Sequence, residues 1–492
     1  MLTGSQNRRK SLLTNCPNYV ETVQKGFIMK KIITLLLILF LLGCNNTQIL
    51  EEPKVDNRVE LLSVVFRLAE LREYNVERFK LYTDKIKQHF EPYKNHELIE
   101  FAKELRHTNG VSFDAVMRMA VYLDDDLNPR VDFSDTIPEK RWGKENAIKF
   151  NKLLKEFYTD ANCKEFFDEN KGLYSEAESR FLQIYKQIDL EWFSSFFGNP
   201  PNETFKIIPG LGNGVQSYGP SVNLEDNKRE VYAIVGAWRT DDLGMVIFPE
   251  KEYFPNLLHE FNHSFVNHLV DDNIKALEES GKKLFEEVKS EMNNQNYGHW
   301  TTVMYETLVR ASVIKYMKDH NYPQIDVAIE TNRQLCRGFL WLEDVLDEIE
   351  KYDNKRIEYP TLESYMPTLI SAFQTYPEKI DIYREKIEAR RPKVVSIDEF
   401  SNGDRNVPSS LRSVTINFDR RLHSQGISIN MGENDEPYPD FNIEELRFSE
   451  DQKSIILGWE LKENTPYVFV LVYMESFDGA SMNDYKISFK TE

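Results

Sequence analysis

Ten residues, His259-Glu260-Phe261-Asn262-His263-Ser264-Phe265-Val266-Asn267-His268, carry the residue types and spacing best suited to chemistry. The first five read H-E-x-x-H. On an α-helix, positions i and i+4 differ by about 40° around the axis and lie one turn apart. His259 and His263 would therefore aim two imidazoles at one point, as two ligands of a tetrahedral zinc must be aimed. Glu260 follows on the neighbouring face, where its carboxylate can take a proton from a water on the metal. Leu257, Leu258, Phe261, Phe265, Val266, Leu269 and Val270 make the rest of the helix apolar and largely buried. A lone buried histidine is usually a satisfied core group; two at this spacing with a glutamate between them are seldom that.

The helix must be positioned by what precedes it. Met245–Phe248 reads as a short strand, and Pro249 and Pro255 interrupt the chain, Pro255 near the first turn of the helix. Phe205–Ile208, the Gly-rich Leu211–Tyr218, Val231–Trp238 and Met245–Phe248 read as strands joined by turns, a small sheet ahead of the metal helix. Gly210–Gly214 lacks the Lys-Ser/Thr of a phosphate loop and is a turn.

Two plans could supply a third ligand. H-E-x-x-H-x-x-G-x-x-H fails because positions 266 and 269 are Val266 and Leu269, and His268 lies about 180° around the helix from His259. The other plan takes a glutamate from a later helix. Glu278, Glu279, Glu286, Glu287 and Glu291 sit in a charged, solvated stretch over Asp271–Asn296. Glu306 sits instead in the apolar helix Val303–Ile314, where an unpaired carboxylate is costly and a metal would remove the cost. Its bland alternative is an i,i+4 ion pair with Arg310. In a combined arrangement Arg310 orients Glu306 from behind, and Asn267, one turn beyond His263, does similar work.

The N-terminus reads as a targeting segment. Met1–Ile28 is polar and irregular, and a second plausible start stands at Met29. Lys30-Lys31, the apolar run Ile32–Leu42 and Gly43-Cys44 follow, a run too short for a membrane span. Leu41-Leu42-Gly43-Cys44 resembles the bacterial lipobox, which implies lipidation of Cys44 and loss of residues 1–43. Residues 44–57 read as a polar tether.

The 492 residues carry 61 Lys+Arg against 80 Asp+Glu, a net charge of −19, and the leader holds six basic residues against one acidic. Such a surface argues against nucleic acid and anionic lipid as partners and leaves acyl chains as the membrane attachment. Apart from Cys16 and Cys44, only Cys163 and Cys336 remain: no disulfide framework, no Cys-based zinc motif, one bridge possible.

Apolar spacing predicts helices through 58–200, among them Ala147–Tyr158 and Glu176–Phe197, the latter stopped by Gly198. His89, His96 and His107 have no partner motif there. Helices also fit Gln334–Tyr352 and Met366–Ala389, and Arg390-Arg391-Pro392 marks a boundary. Beyond it, Val394–Ile397, Val414–Phe418, Ile427–Met431, Glu445–Phe448, Ser454–Trp459, Tyr467–Tyr473 and Tyr485–Phe489 alternate between turns, the signature of a β-sandwich over 391–492. The fold class is thus α+β: a mostly helical domain over 58–390 with a small sheet, then an all-β sandwich.

His259-Glu260-x-x-His263 with a helical Glu306 resembles the gluzincins, zinc metallopeptidases with two His and one Glu as ligands. Together with the lipobox it is similar to a family of large bacterial lipoproteins carrying such a domain, and Pro392–Phe418 resembles bacterial Ig-like domains. The resemblance spans about Arg58–Arg390 and rests on the five-residue motif. It implies that zinc acidifies its water, that Glu260 takes the proton, and that the carbonyl of a peptide bond is attacked. It also implies an oxyanion donor, with Tyr218, Tyr297, His299, Tyr305 and Tyr365 all available. The 43 residues from His263 to Glu306 exceed the usual gluzincin spacing, and a helical hairpin inserted at Asp271–Asn296 would account for them.

The expected protein is a lipid-anchored zinc peptidase of the cell envelope, facing the periplasm or exterior, with a peptide or protein substrate. The competing expectation is an inactive binding lipoprotein that docks through its Ig-like module; an intact Glu260 favours the enzyme. If Cys44 carries the lipid, Cys44→Ser moves the protein from the membrane pellet to the soluble fraction of a fractionated bacterial host. Unchanged pelleting would remove the anchor.

Overall fold

The computed structural model describes residues 50–198, 203–224, 228–423, 427–431 and 437–492. Met29, the lipobox, Cys44, Cys16 and most of the expected tether lie outside them. Among the described residues no helix is long and apolar enough to cross a membrane.

The molecule is α+β: helices first, a small sheet in the middle, and a β-rich end. Helices α1 (Asn57–Leu68), α2 (Lys80–Phe90), α3 (Glu97–Asn109), α4 (Asp114–Val121), α5 (Lys144–Asp160), α6 (Cys163–Tyr185) and α7 (Leu190–Phe197) come first. Strands β1 (Glu203–Gly210), β2 (Ser221–Asn223) and β3 (Arg229–Gly236) form one sheet in the order β1-β3-β2, with β1 parallel to β3 and β2 antiparallel. Then follow α8 (Glu250–Asp272), α9 (Ile274–Glu287), α10 (Lys289–Asn294), α11 (Trp300–Asp319), α12 (Gln324–Cys336), α13 (Leu342–Asp353), α14 (Leu362–Phe373) and α15 (Ile380–Arg390).

Several expected elements break where tertiary partners intervene. Glu176–Phe197 is two helices, because the amide of Asp189 donates to Tyr316 Oη (3.0 Å) while its carboxylate caps α7 at the amide of Trp192 (3.0 Å). Gly198 ends α7 in the left-handed conformation, as expected. Gln334–Tyr352 is split at Gly338, whose φ of +104° no helix accommodates. Met366–Ala389 breaks at the short 3₁₀ turn Tyr376–Lys379, which contains Pro377.

Two expected strands are absent. Met245–Phe248 belongs to a tight turn in which Asp241 Oδ1 accepts from the amides of Leu243 and Met245. Leu211–Tyr218 is a loop, pinned because the amides of Leu211 and Gly212 donate to the buried carboxylate of Glu60 (2.7 and 2.8 Å). The far end of the expected tether is also ordered: the amides of Glu51 and Lys54 donate to Phe205 and Ile207 along β1. Both described cysteines, Cys163 and Cys336, are free.

The seven C-terminal strands fall where alternation places them: β4 (Val394–Ile397), β5 (Ser413–Phe418), β6 (Ser428–Met431), β7 (Asp440–Phe448), β8 (Ser454–Glu460), β9 (Pro466–Val472) and β10 (Tyr485–Lys490). They form sheets β4-β5-β8-β7 and β6-β9-β10, the division of seven strands found in immunoglobulin constant-type sandwiches. Both sheets share one core built on Ile416, Trp459, Phe469 and Ile487. Helix-to-strand conversion coincides with the expected boundary, yet Glu51–Glu492 is one compact unit. Arg333 pairs with Glu475 (2.8 Å) and Asn332 Nδ2 donates to the carbonyl of Asp478 (2.8 Å), fixing α12 to the sandwich.

Glu60 gives a pH-dependent test of this packing. Burial lifts its carboxyl to about 7, against the lowering effect of the two amide donors. The folded state therefore holds the proton that the unfolded chain releases near its ordinary pKa, so stability falls as pH rises through this window. The wild-type-minus-Glu60→Gln difference in unfolding free energy should drop by about 3 kcal/mol between about pH 4.5 and about pH 7 in urea titrations. A flat difference would show that Glu60 is ionised throughout.

Candidate metal centre

Helix α8 holds the H-E-x-x-H motif with one face against aromatic rings and the other toward α11. Phe261 meets Phe193 of α7 edge-to-face with centroids 4.5 Å apart, Phe265 stacks on Phe197 at 4.7 Å, and Phe205 of β1 meets Phe261 at 4.6 Å. That wedge fixes the rotation of α8. Pro255 sits one turn deeper than expected, the helix starting at Glu250 behind Pro249.

On the opposite face the two histidines converge. His259 Nε2 and His263 Nε2 are 3.3 Å apart, and Glu306 of α11 reaches both, at 3.3 Å to His259 and 3.5 Å to His263. A tetrahedral ion with ligand bonds near 2.0–2.1 Å separates its ligands by about 3.3–3.4 Å. The three edges match that figure, and among the described residues this is the His/Cys/Asp/Glu group able to hold a metal.

Charge makes the same point. His263 Nδ1 donates to Asn267 Oδ1 (3.0 Å), an oxygen that only accepts, and this contact turns Nε2 toward the cluster. Burial, then the neighbouring charges of Arg310, His263 and Arg337, hold His259 well below its usual pKa and thus neutral. Two lone pairs and a carboxylate directed at one point repel each other until a cation lies between them.

Glu306 is buried, and Arg310 Nη2 donates to its Oε2 (2.9 Å) and to Tyr297 Oη (3.0 Å). The ion pair with Arg310 is thus present, and it leaves Glu306 within reach of both histidines. Arg310 itself rests on the Phe339 ring, 4.6 Å from its centroid. Thr307 is anchored on the far side of α11 by Trp341 Nε1 (3.3 Å). Trp300, at the start of α11, packs so closely on Gly281 that a Cβ there would lie 2.4 Å from its ring.

Glu260 is half-buried, and its carboxylate has no hydrogen-bond partner among the described residues. Burial raises its pKa; His263 opposes this and Glu306 adds to it. Its Oε2 lies where a Cβ on Gly219 would be, 2.3 Å away, so the chain leading into β2 passes directly over the carboxylate. Motif reading missed Gly219, since nothing local distinguishes it from other turn glycines.

The remaining expectations resolve by distance. His268 is exposed on the outer face, as its helical angle requires. Glu278, Glu279, Glu286 and Glu287 pair with Lys282, Lys283, Lys289 and Arg384 on the surface, away from the histidines. Among the oxyanion candidates, Tyr305 bonds Asp271, Tyr365 bonds Glu348, His299 caps α11, and Tyr218 pairs through its backbone with Ile234. Of these five, Tyr297 is joined to the site by a hydrogen bond, through Arg310. Burial and the charge of Glu306 raise its hydroxyl to about 12, so it keeps its proton.

Fold and site together define an α+β protein with two half-buried histidines and one buried glutamate clustered between two packed helices. Residues 52–372 match the family model described as a domain of unknown function (DUF4932), and the chain belongs to that family. No curated protein matches it. Among solved structures, surface layer protein SbsC, domains 1-6, is 14% identical over 49% of this chain and 32% of its own, with a TM-score of 0.17. The S-layer protein rSbsC(31-844) is likewise 14% identical over 49% and 32%, at 0.16. The N-terminal part of the bacterial S-layer protein SbsC is 12% identical over 49% and 64%, at 0.17. The chain thus spans about a third of the first two, and likeness at this level bears on neither fold nor function.

Gly219→Ala should cost less than about 1 kcal/mol, because the group it displaces is the end of a flexible side chain. It should nonetheless swing Glu260 into another rotamer, visible in a crystal structure of the variant with the histidines unmoved. An unchanged Glu260 would show that the two segments are looser than their contact implies.

Proposed function

We propose that this chain is a lipid-anchored, extracytoplasmic zinc peptidase of gluzincin type. The observation that carries the reading is the triangle of His259, His263 and Glu306 with an unpaired Glu260 beside it. Nitrogen and oxygen donors in a closed tetrahedral spacing favour zinc over calcium or magnesium, which prefer oxygen sets. Zinc at this point supplies Lewis acidity and makes water a usable nucleophile near neutral pH.

The chain's own residues do the rest. Glu260 accepts the proton of the attacking water on its carboxylate and returns it to the amine nitrogen that leaves, a role its raised pKa suits. Arg310 holds the Glu306 carboxylate in place and donates to Tyr297 Oη, leaving the Tyr297 proton to donate to the carbonyl oxygen as charge develops there. The Ig-like sandwich, clamped to α12, acts as a spacer or docking module.

Metal analysis tests the ligands and kinetics tests the base. The purified chain should hold one zinc, and Glu306→Ala should lose it. Glu260→Gln should keep the zinc and cut peptide-library hydrolysis about 10²–10⁴-fold. Full zinc in Glu306→Ala, with loss in Glu286→Ala or Glu287→Ala, would overturn the ligand set. Wild-type rates in Glu260→Gln would overturn the mechanism and favour a binding lipoprotein.

A further inference from the structure

Arg337 follows α12 and is solvent-exposed. Its carbonyl accepts from Gln295 Nε2 (2.7 Å), which ties this turn to the segment that carries Tyr297. Two residues on, Phe339 lies beneath the guanidinium of Arg310. Arg337 thus stands at the edge of the metal centre. Its own guanidinium makes no hydrogen bond or ion pair among the described residues.

Its neighbours are already committed. Arg310 is paired with Glu306, and Arg333 with Glu475. Glu330, the nearest acid to influence Arg337, takes a hydrogen bond from Gln334 Nε2 (2.6 Å) and forms no ion pair with it. Although exposed, Arg337 is surrounded closely enough that burial and the like charge of Arg310 depress its pKa. Its charge acts on His259, which puts this exposed guanidinium beside the cluster.

The local charge differs from that of the whole molecule. Glu260 and Glu306 are offset by Arg310 and Arg337, and a divalent ion leaves the centre net positive inside a chain of charge −19. Such a focus draws anions toward the cluster. A guanidinium without a partner is shaped to take a carboxylate through two parallel hydrogen bonds.

We propose that Arg337 is a carboxylate-binding residue beside the cluster, and that the peptides this site takes carry a free carboxylate, at the C-terminus or on an acidic side chain, close to the three candidate ligands. The word substrate here rests on the peptidase reading; carboxylate binding does not.

The test is calorimetric titration of the zinc-loaded full chain carrying Glu260→Gln, which should hold a peptide without cutting it. Three probes are compared: acetyl-Ala-Ala-Ala as the free acid, the same peptide as its amide, and acetyl-Ala-Glu-Ala amide. At least one carboxylate peptide should bind about tenfold or more tighter than the neutral amide, and which one identifies the source of the carboxylate. Adding Arg337→Gln should reduce that preference to less than about twofold, and Arg337→Lys should restore part of it. Equal binding of all three, or a preference that survives Arg337→Gln, overturns the proposal. If the preference holds but wild type cuts no peptide, the carboxylate site stands and the peptidase reading falls. If wild type cuts peptides without any preference, the reverse is true.

Discussion

Two imidazole nitrogens 3.3 Å apart, facing a buried carboxylate, are the constraint on which the rest of this structure depends. Burial holds His259 well below its usual pKa, so it brings a lone pair rather than a proton to the carboxylate. Only a cation makes their convergence favourable. Keeping them converged requires that α8 and α11 neither rotate nor slide. The aromatic wedge from α7 and β1 fixes the first, and Trp300 on Gly281 with Trp341 on Thr307 fixes the second.

Arg310 resolves what looked like a choice. An ion pair and a metal ligand are rival explanations of a glutamate only if it has one face to offer. Glu306 Oε2 takes the guanidinium while both oxygens still reach the histidines. The same arginine steadies Tyr297 and leans on Phe339, so ligand, hydroxyl and turn form one rigid group. Glu260 stands apart from that network, with Gly219 against it and no hydrogen-bond partner among the described residues.

Helix α12 has two attachments. Asn332 and Arg333 bind it to the sandwich, and the turn after it brings Phe339 and Arg337 to the metal centre. The β-rich end is therefore braced against one wall of the site rather than hung from it by a linker. That arrangement gives a fixed orientation between the cluster and the sandwich.

Periodicity alone determined that His259 and His263 share a helix face, that His268 does not, and that seven short strands follow residue 391. Those features depend on local geometry, 3.6 residues per turn or alternation by two, and so they were written in the order of the residues. An apolar setting also singled out Glu306, because a buried carboxylate needs a partner wherever it is. The breaks at Asp189 and Gly338 and the loop held by Glu60 were not legible, since each depends on groups far away in the chain. The same holds for Gly219 over Glu260, the selection of Tyr297 and the unpaired Arg337. Their roles arise from contacts across 13 to 151 residues of sequence, and only packing decides which of many equivalent tyrosines, glycines and arginines arrives at the cluster.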